Sequence, residues 1–173
     1  MSTQSNKNVK RLVAAAVFMA INVVFSSFGI PVPGGRIYLC DAVTCTAAML
    51  FDPVYALAIG GIGALLGDMF FYPAAMFVSL LVHGLQATTV SLCTHFTFKK
   101  HPLLGMILGG VLGCVIMTVG YTLGKVFVYG ELGKWMPALI TAPFELLQSA
   151  VGTVIAITLC YSLKLRDKLK LDI

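Results

Sequence analysis

Apolar residues run along this chain in long unbroken blocks, and the polar residues collect in the short intervals between them. Residues 9–28 are almost wholly apolar and end at Gly29-Ile30-Pro31-Val32-Pro33-Gly34-Gly35, whose prolines and glycines cannot continue a helix and read as a loop. Residues 39–51 form a second block, broken by Asp52-Pro53; as a helix it reaches only about 20 Å, so it must sit against protein or lie near one interface. Blocks at 54–71, 74–98, 103–129 and 138–163 follow, separated by Tyr72-Pro73, by Lys99-Lys100-His101-Pro102 and by the segment 130–137. An apolar helix of about 20 residues crosses a hydrocarbon layer of roughly 30 Å. The pattern therefore predicts an all-α membrane protein with six transmembrane helices, forming one domain over residues 1–173. A four-span arrangement, with 39–71 as a re-entrant hairpin, is the alternative.

Composition narrows the class further. With 58% apolar residues, 11% charged residues and a mean hydropathy of +0.93, the chain is neither an ordinary soluble domain nor a disordered segment. Six spans consume on the order of 120 residues, which leaves no room for a separate catalytic or nucleotide-binding domain. The net charge of +5 is less informative than its placement. Lys7, Lys10 and Arg11 cluster at the start of the first block, Lys99 and Lys100 sit mid-chain, and Lys164, Arg166, Lys168 and Lys170 close the sequence. By the positive-inside rule both termini are then cytoplasmic, which requires an even number of spans. No contiguous basic face remains for nucleic acid. Cys40, Cys45, Cys93, Cys114 and Cys160 include no C-x-x-C pair and read as small apolar helix residues. The first block could pass for a signal peptide with a weak cleavage site at Ser27-Phe28-Gly29, but cleavage would leave an odd number of spans, and an uncleaved first helix is expected.

Glycines crowd the third block (Gly60, Gly61, Gly63, Gly67) and the fifth (Gly105, Gly109, Gly110, Gly113, Gly120, Gly124), as close helix packing in membranes favours. Ala16 and Ala20 have the same four-residue spacing in the first helix, on a face either packed internally or offered to a partner.

Polar groups within a bilayer are costly and mark function. With the inferred orientation, Asp41, Asp68, His83, Gln86, Tyr121, Lys125, Glu145 and Gln148 all fall in the outer half of the membrane, on five helices. His83 with Gln86, Glu145 with Gln148 and Tyr121 with Lys125 each share a helix face. The set reads as an outward-facing pocket; the alternative is an internal network pairing Lys125 with Glu145 and His83 with Asp68. An enzyme reading is weaker, since Ser79 is expected on a different face from the partners of His83 and no nucleophile elbow is present. No histidine or carboxylate spacing supports a metal site. The polar set stops short of the cytoplasmic side, which disfavours a channel. Gly124-Lys125 is followed by Val126 and preceded by Val119 at the first glycine position, so there is no P-loop, and any ATPase must be another chain.

Several short motifs carry a family likeness. Ile30-Pro31-Val32-Pro33-Gly34-Gly35 is followed by Leu39-x-Asp41. Phe51-Asp52-Pro53-Val54-Tyr55-Ala56 resembles a Phe-Gly-Pro-x-Tyr-Gly turn with Asp52 and Ala56 replacing its glycines, and Gly60-Gly61-Ile62-Gly63 with Gly67-Asp68 resembles a glycine-rich third helix. In this order they resemble the substrate-binding S components of energy-coupling factor (ECF) transporters, the vitamin uptake systems of prokaryotes, and in particular the riboflavin-type group. The resemblance implies a multi-pass protein of a prokaryotic cell membrane, six helices with the N-terminus inside, and substrate bound near the outer surface beneath the outer loops. The first of those loops adds Arg36 and Tyr38 to the candidate substrate-binding residues. It also implies a transmembrane coupling subunit docking on Ala16 and Ala20, two ATPase subunits, and toppling of the S component to release substrate.

No cofactor is implied, and Ser2 stands where nickel and cobalt members of the wider family have histidine. Phe70, Phe71, Tyr72, Phe77 and Trp135 read mostly as an interfacial belt, with one or two left to stack on a ligand ring. A small hydroxylated ring such as hydroxymethylpyrimidine or pyridoxine suits the mixed donors and acceptors best, with pantothenate and riboflavin still open. The alternative function is a stand-alone secondary carrier that uses Asp68 or Glu145 as a proton relay.

Overall fold

The computed structural model describes residues 2–33, 35–130 and 133–165. Gly34, Arg166, Lys168 and Lys170, and the side chain of Lys7, lie outside the described residues. Among the described residues, five helices are long and apolar enough to cross a membrane: α1 (Ser2–Ser27), α3 (Pro53–Phe71), α4 (Pro73–Thr97), α5 (Pro102–Tyr129) and α6 (Trp135–Ser162). A shorter apolar helix, α2 (Cys40–Leu50), makes the sixth. The protein is an all-α membrane protein, and its helices follow the apolar blocks to within a few residues. Helix α6 begins at Trp135, ahead of the expected 138, because Pro137 falls in its first turn, where a missing N–H costs nothing.

The stretch after α1 departs from the expected loop. It forms a two-stranded antiparallel hairpin, β1 (Gly29–Val32) with β2 (Gly35–Tyr38), in which Pro31 faces Arg36. In a two-stranded ribbon both strands are edges, so prolines that would disrupt a central strand are tolerated.

Helix α2 explains how a segment too short to span can sit in a membrane. Ten of its eleven residues are buried, with Cys45, Ala47, Ala48 and Leu50 fully inaccessible. It lies against α1, α4 and α6, so protein rather than lipid meets its ends, as backbone polar groups in hydrocarbon require. At its C-terminal end the Phe51 carbonyl accepts the Ser91 hydroxyl at 2.7 Å. Asp52 then caps α3 by accepting the Tyr55 N–H at 3.2 Å and pairs with Arg11 of α1 at 2.8 Å, while the Arg11 guanidinium lies over the Tyr55 ring. Asp52 thus ties α1 to the α2–α3 turn.

The glycine-rich faces make close contacts. A methyl group on Gly105 would come within 2.6 Å of the Cys93 carbonyl, and one on Gly63 within 2.7 Å of Asn22. Asn22 also donates to the Ile59 carbonyl at 3.0 Å, within a wide π-type turn at 58–62. That turn diverts carbonyls from the regular ladder, and the buried amide meets one of them.

Candidate substrate-binding cavity

At the hairpin end of the helices lies a cavity of about 460 Å³. Its wall draws Arg36 and Tyr38 from β2, Cys40 from α2, Asp68 and Phe71 from α3, His83 from α4, Tyr121, Lys125 and Tyr129 from α5, and Glu145 and Gln148 from α6. Tyr72, Ser26, Ala64 and Ala75 complete it. Eight of the ten candidate substrate-binding residues therefore meet at one cavity. Asp41 and Gln86 do not reach it; both are fully buried behind its wall.

Three polar assemblies shape this wall. In the first, Lys125 donates to Glu145 Oε1 at 2.6 Å and to Thr141 at 2.7 Å. Lys125 opens a π-type turn, 125–129, whose last residue, Tyr129, also lines the cavity. In the second, Ser79 is hydrogen-bonded to Asp68 and lies 2.6 Å from the Tyr121 hydroxyl. The expectation that Ser79 faces away from the partners of His83 is thus corrected: four residues is a full helical turn, so Ser79 and His83 share one side of α4. The third assembly is deeper. His83 Nδ1 lies 3.4 Å from Asp41 Oδ1 and 3.2 Å from Gln86 Oε1, and Gln86 donates to Ser149 at 2.9 Å. The internal partner of His83 is therefore Asp41, not Asp68. Gln148 joins this assembly to the hairpin, donating to Asp41 at 2.7 Å and accepting the Tyr38 N–H at 2.6 Å.

Aromatic rings supply the rest of the wall. Tyr72 and Tyr129 meet edge to face at 6.1 Å, as do His83 and Tyr121 at 5.8 Å. Of the aromatic belt residues, Phe71 and Tyr72 line the cavity, whereas Phe70, Phe77 and Trp135 are exposed and do not. Burial raises the pKa of the Tyr38 phenol above its ordinary value, with the nearby Asp68 charge adding to the effect and Arg36 opposing it. Tyr38 therefore keeps its proton at neutral pH and can donate it. Sequence reasoning missed Tyr129, read Cys40 only as a small apolar residue, and set Ser79 aside. Ser79 and Tyr129 each stand four residues from a chosen residue, His83 and Lys125, and that spacing was the available signal.

Below the cavity the core is closed, since Cys45, Ala47, Ala48, Met49 and Leu50 are at most 1% exposed. This is a membrane protein with a polar and aromatic chamber at one end and a packed interior beneath it. The chain belongs to the ECF-type riboflavin transporter S component family, whose model matches residues 6–165. It is a transporter subunit rather than an enzyme. It is 30% identical over 149 residues to the uncharacterized protein in gap 3'region of Pyrococcus woesei, covering 85% of this chain and 96% of that protein. It is also 30% identical over 161 residues to the thiamine precursor transporter HmpT of Lactococcus lactis subsp. cremoris (strain MG1363), covering 90% of this chain and 89% of that protein.

Proposed function

We propose that this chain captures a small water-soluble vitamin or vitamin precursor in the cavity and passes it inward as the S component of an ECF complex. The observation that carries the reading is the cavity: about 460 Å³, with a wall where charged and aromatic side chains from four helices and the hairpin meet. That volume falls within the roughly 300–1,000 Å³ usual for small-molecule sites. Hydroxymethylpyrimidine and pyridoxine are the preferred ligands, because a compact hydroxylated ring suits the mixture of acids, amides and tyrosines; the name of the Lactococcus relative supports a thiamine precursor. Arg36, Tyr38, Asp68, His83, Tyr121, Lys125, Glu145 and Gln148 would contact the ligand, and Asp41 and Gln86 would hold His83 and Gln148 in place.

The energising partners are a transmembrane coupling subunit and two ATPase subunits, with both termini of this chain cytoplasmic as its basic clusters suggest. Ala16 and Ala20 are exposed, whereas Ala15, Asn22 and Ser26 form the inward face of α1. Their outward position supports a docking role rather than internal packing. Two measurements test the proposal. The purified chain should bind at least one compound of a vitamin and precursor panel, and reconstituted uptake should require the coupling subunit, the ATPases and ATP. Uptake by this chain alone, driven by a proton gradient, would instead favour a secondary carrier.

A further inference from the structure

We infer that the cavity selects an aromatic heterocycle presenting a hydrogen-bond donor, such as an exocyclic amine, to an acceptor-only edge formed by Asp68 and Tyr121. The inference rests on the substrate-binding reading above and follows from counting protons around Ser79. A serine hydroxyl has one proton to give, and a carboxylate has none. Ser79 gives its proton to Asp68 Oδ2. The 2.6 Å contact between Ser79 and Tyr121 must therefore be donated by Tyr121. With that proton committed, Tyr121 turns only lone pairs to any other neighbour. Asp68 Oδ1 has no hydrogen-bond partner among the described residues, and both residues line the cavity.

His83 is 3% exposed and borders the cavity. Its Nδ1 faces two acceptors, Asp41 Oδ1 and Gln86 Oε1. The Gln86 amide is oriented by its nitrogen, which donates to Ser149 at 2.9 Å. Nδ1 accordingly carries a proton and is committed to these buried partners. Uncommitted donors come from the other side of the cavity: the third ammonium proton of Lys125 and the second amide proton of Gln148. A ligand carbonyl or carboxylate placed against Asp68 would meet lone pair with lone pair, whereas an amine would complete a charge-assisted hydrogen bond. The rings of Phe71, Tyr72, Tyr121 and Tyr129 in the same wall favour a flat aromatic body for the ligand.

The test compares two probes on the purified full-length chain by titration calorimetry: 4-amino-5-hydroxymethyl-2-methylpyrimidine and its 4-methyl isostere, which has the same shape but lacks the donor. The amine should bind roughly tenfold more tightly, since a buried acceptor left unpaired carries a penalty of that order. Asp68→Asn should reduce this preference to about twofold or less, because a neutral amide can turn either a donor or an acceptor to the ligand. Ser79→Ala keeps the carboxylate but frees the Tyr121 proton, and should leave a preference between those of the wild-type chain and Asp68→Asn. Equal binding of the two probes to the wild-type chain would overturn the inference and leave the transport reading intact. So would an undiminished preference in Asp68→Asn; if that variant does not fold, the wild-type ratio decides. If neither pyrimidine binds but another compound of the vitamin panel does, an acceptor-only ring overturns the inference and a donor-bearing ring supports it. Absence of binding by the whole panel removes the functional reading and this inference together.

Discussion

Gln148 holds the hairpin to the buried carboxylate of Asp41: its Oε1 accepts the Tyr38 N–H at 2.6 Å while its Nε2 donates to Asp41 Oδ2 at 2.7 Å. One side chain thus links β2, α2 and α6 at the cavity. Gln148→Leu would leave both partners unpaired, at roughly 1–3 kcal/mol each. The variant should melt at a lower temperature in detergent and bind ligand more weakly. Gln148→Glu should restore the acceptor for Tyr38 but place a second carboxylate against Asp41, so it should not recover wild-type stability.

Lys125 and Glu145 form a partly buried pair, with side chains 20% and 14% exposed. Removing one partner strands the other charge, and at such depth that costs about 3 kcal/mol or more, whereas removing both costs much less. Lys125→Met and Glu145→Gln should each destabilise the protein more than the double variant does. A double-mutant cycle on melting in detergent measures the coupling. Additive single effects would show that the pair is solvated.

Two glycines separate close packing from mere helical context. A methyl group on Gly152 would lie 2.7 Å from Asp41 Cβ and 2.8 Å from the Asp41 backbone carbonyl carbon, whereas one on Gly84 would come no nearer than 3.6 Å to its neighbours. Gly152→Ala must push α6 away from α2, and with it Gln148 away from Asp41. It should cost about 1–3 kcal/mol and lower ligand affinity. Gly84→Ala should be nearly neutral in melting and binding.

The contrast between these positions shows what could be read from sequence. The spans were legible because burial in hydrocarbon demands unbroken apolar blocks, and the depth of the polar residues followed from their position within those blocks. Faces were legible where a pair shared a helix, as with Glu145 and Gln148. Pairing between helices was not. Asp41 and His83 meet because α2 is short and sheathed by its neighbours, and no one-dimensional pattern distinguishes that contact from one between His83 and Asp68. The hairpin was hidden for a different reason: two four-residue strands, one holding Pro31 and with Pro33 in the turn between them, carry the composition of a loop, and their pairing depends on the fold beneath them. Gly60 and Gly110 both looked like packing glycines, but what each abuts emerges only in three dimensions.

The proposed ligand site and the proposed docking face lie on separate surfaces of the chain. Ala16 and Ala20 are exposed on α1, and neither borders the cavity, whereas Ser26 near the end of the same helix does. A bulky side chain at the exposed positions would hold a partner helix away where close approach is needed, yet it would point away from the inward face of α1 that carries Asn22 and Ser26. Ala16→Trp and Ala20→Trp should therefore bind ligand as the wild-type chain does, but fail to co-purify with the coupling subunit and ATPases and fail in ATP-driven uptake. His83→Gln should do the reverse. It removes the imidazole from the cavity wall, so binding should weaken while assembly persists. Loss of ligand binding in the tryptophan variants with assembly retained would place the docking surface elsewhere and reverse the proposed orientation of the chain. The milder pair Ala16→Leu and Ala20→Leu guards against misfolding, because leucine is at home on a lipid-facing helix and still closes the small-residue groove.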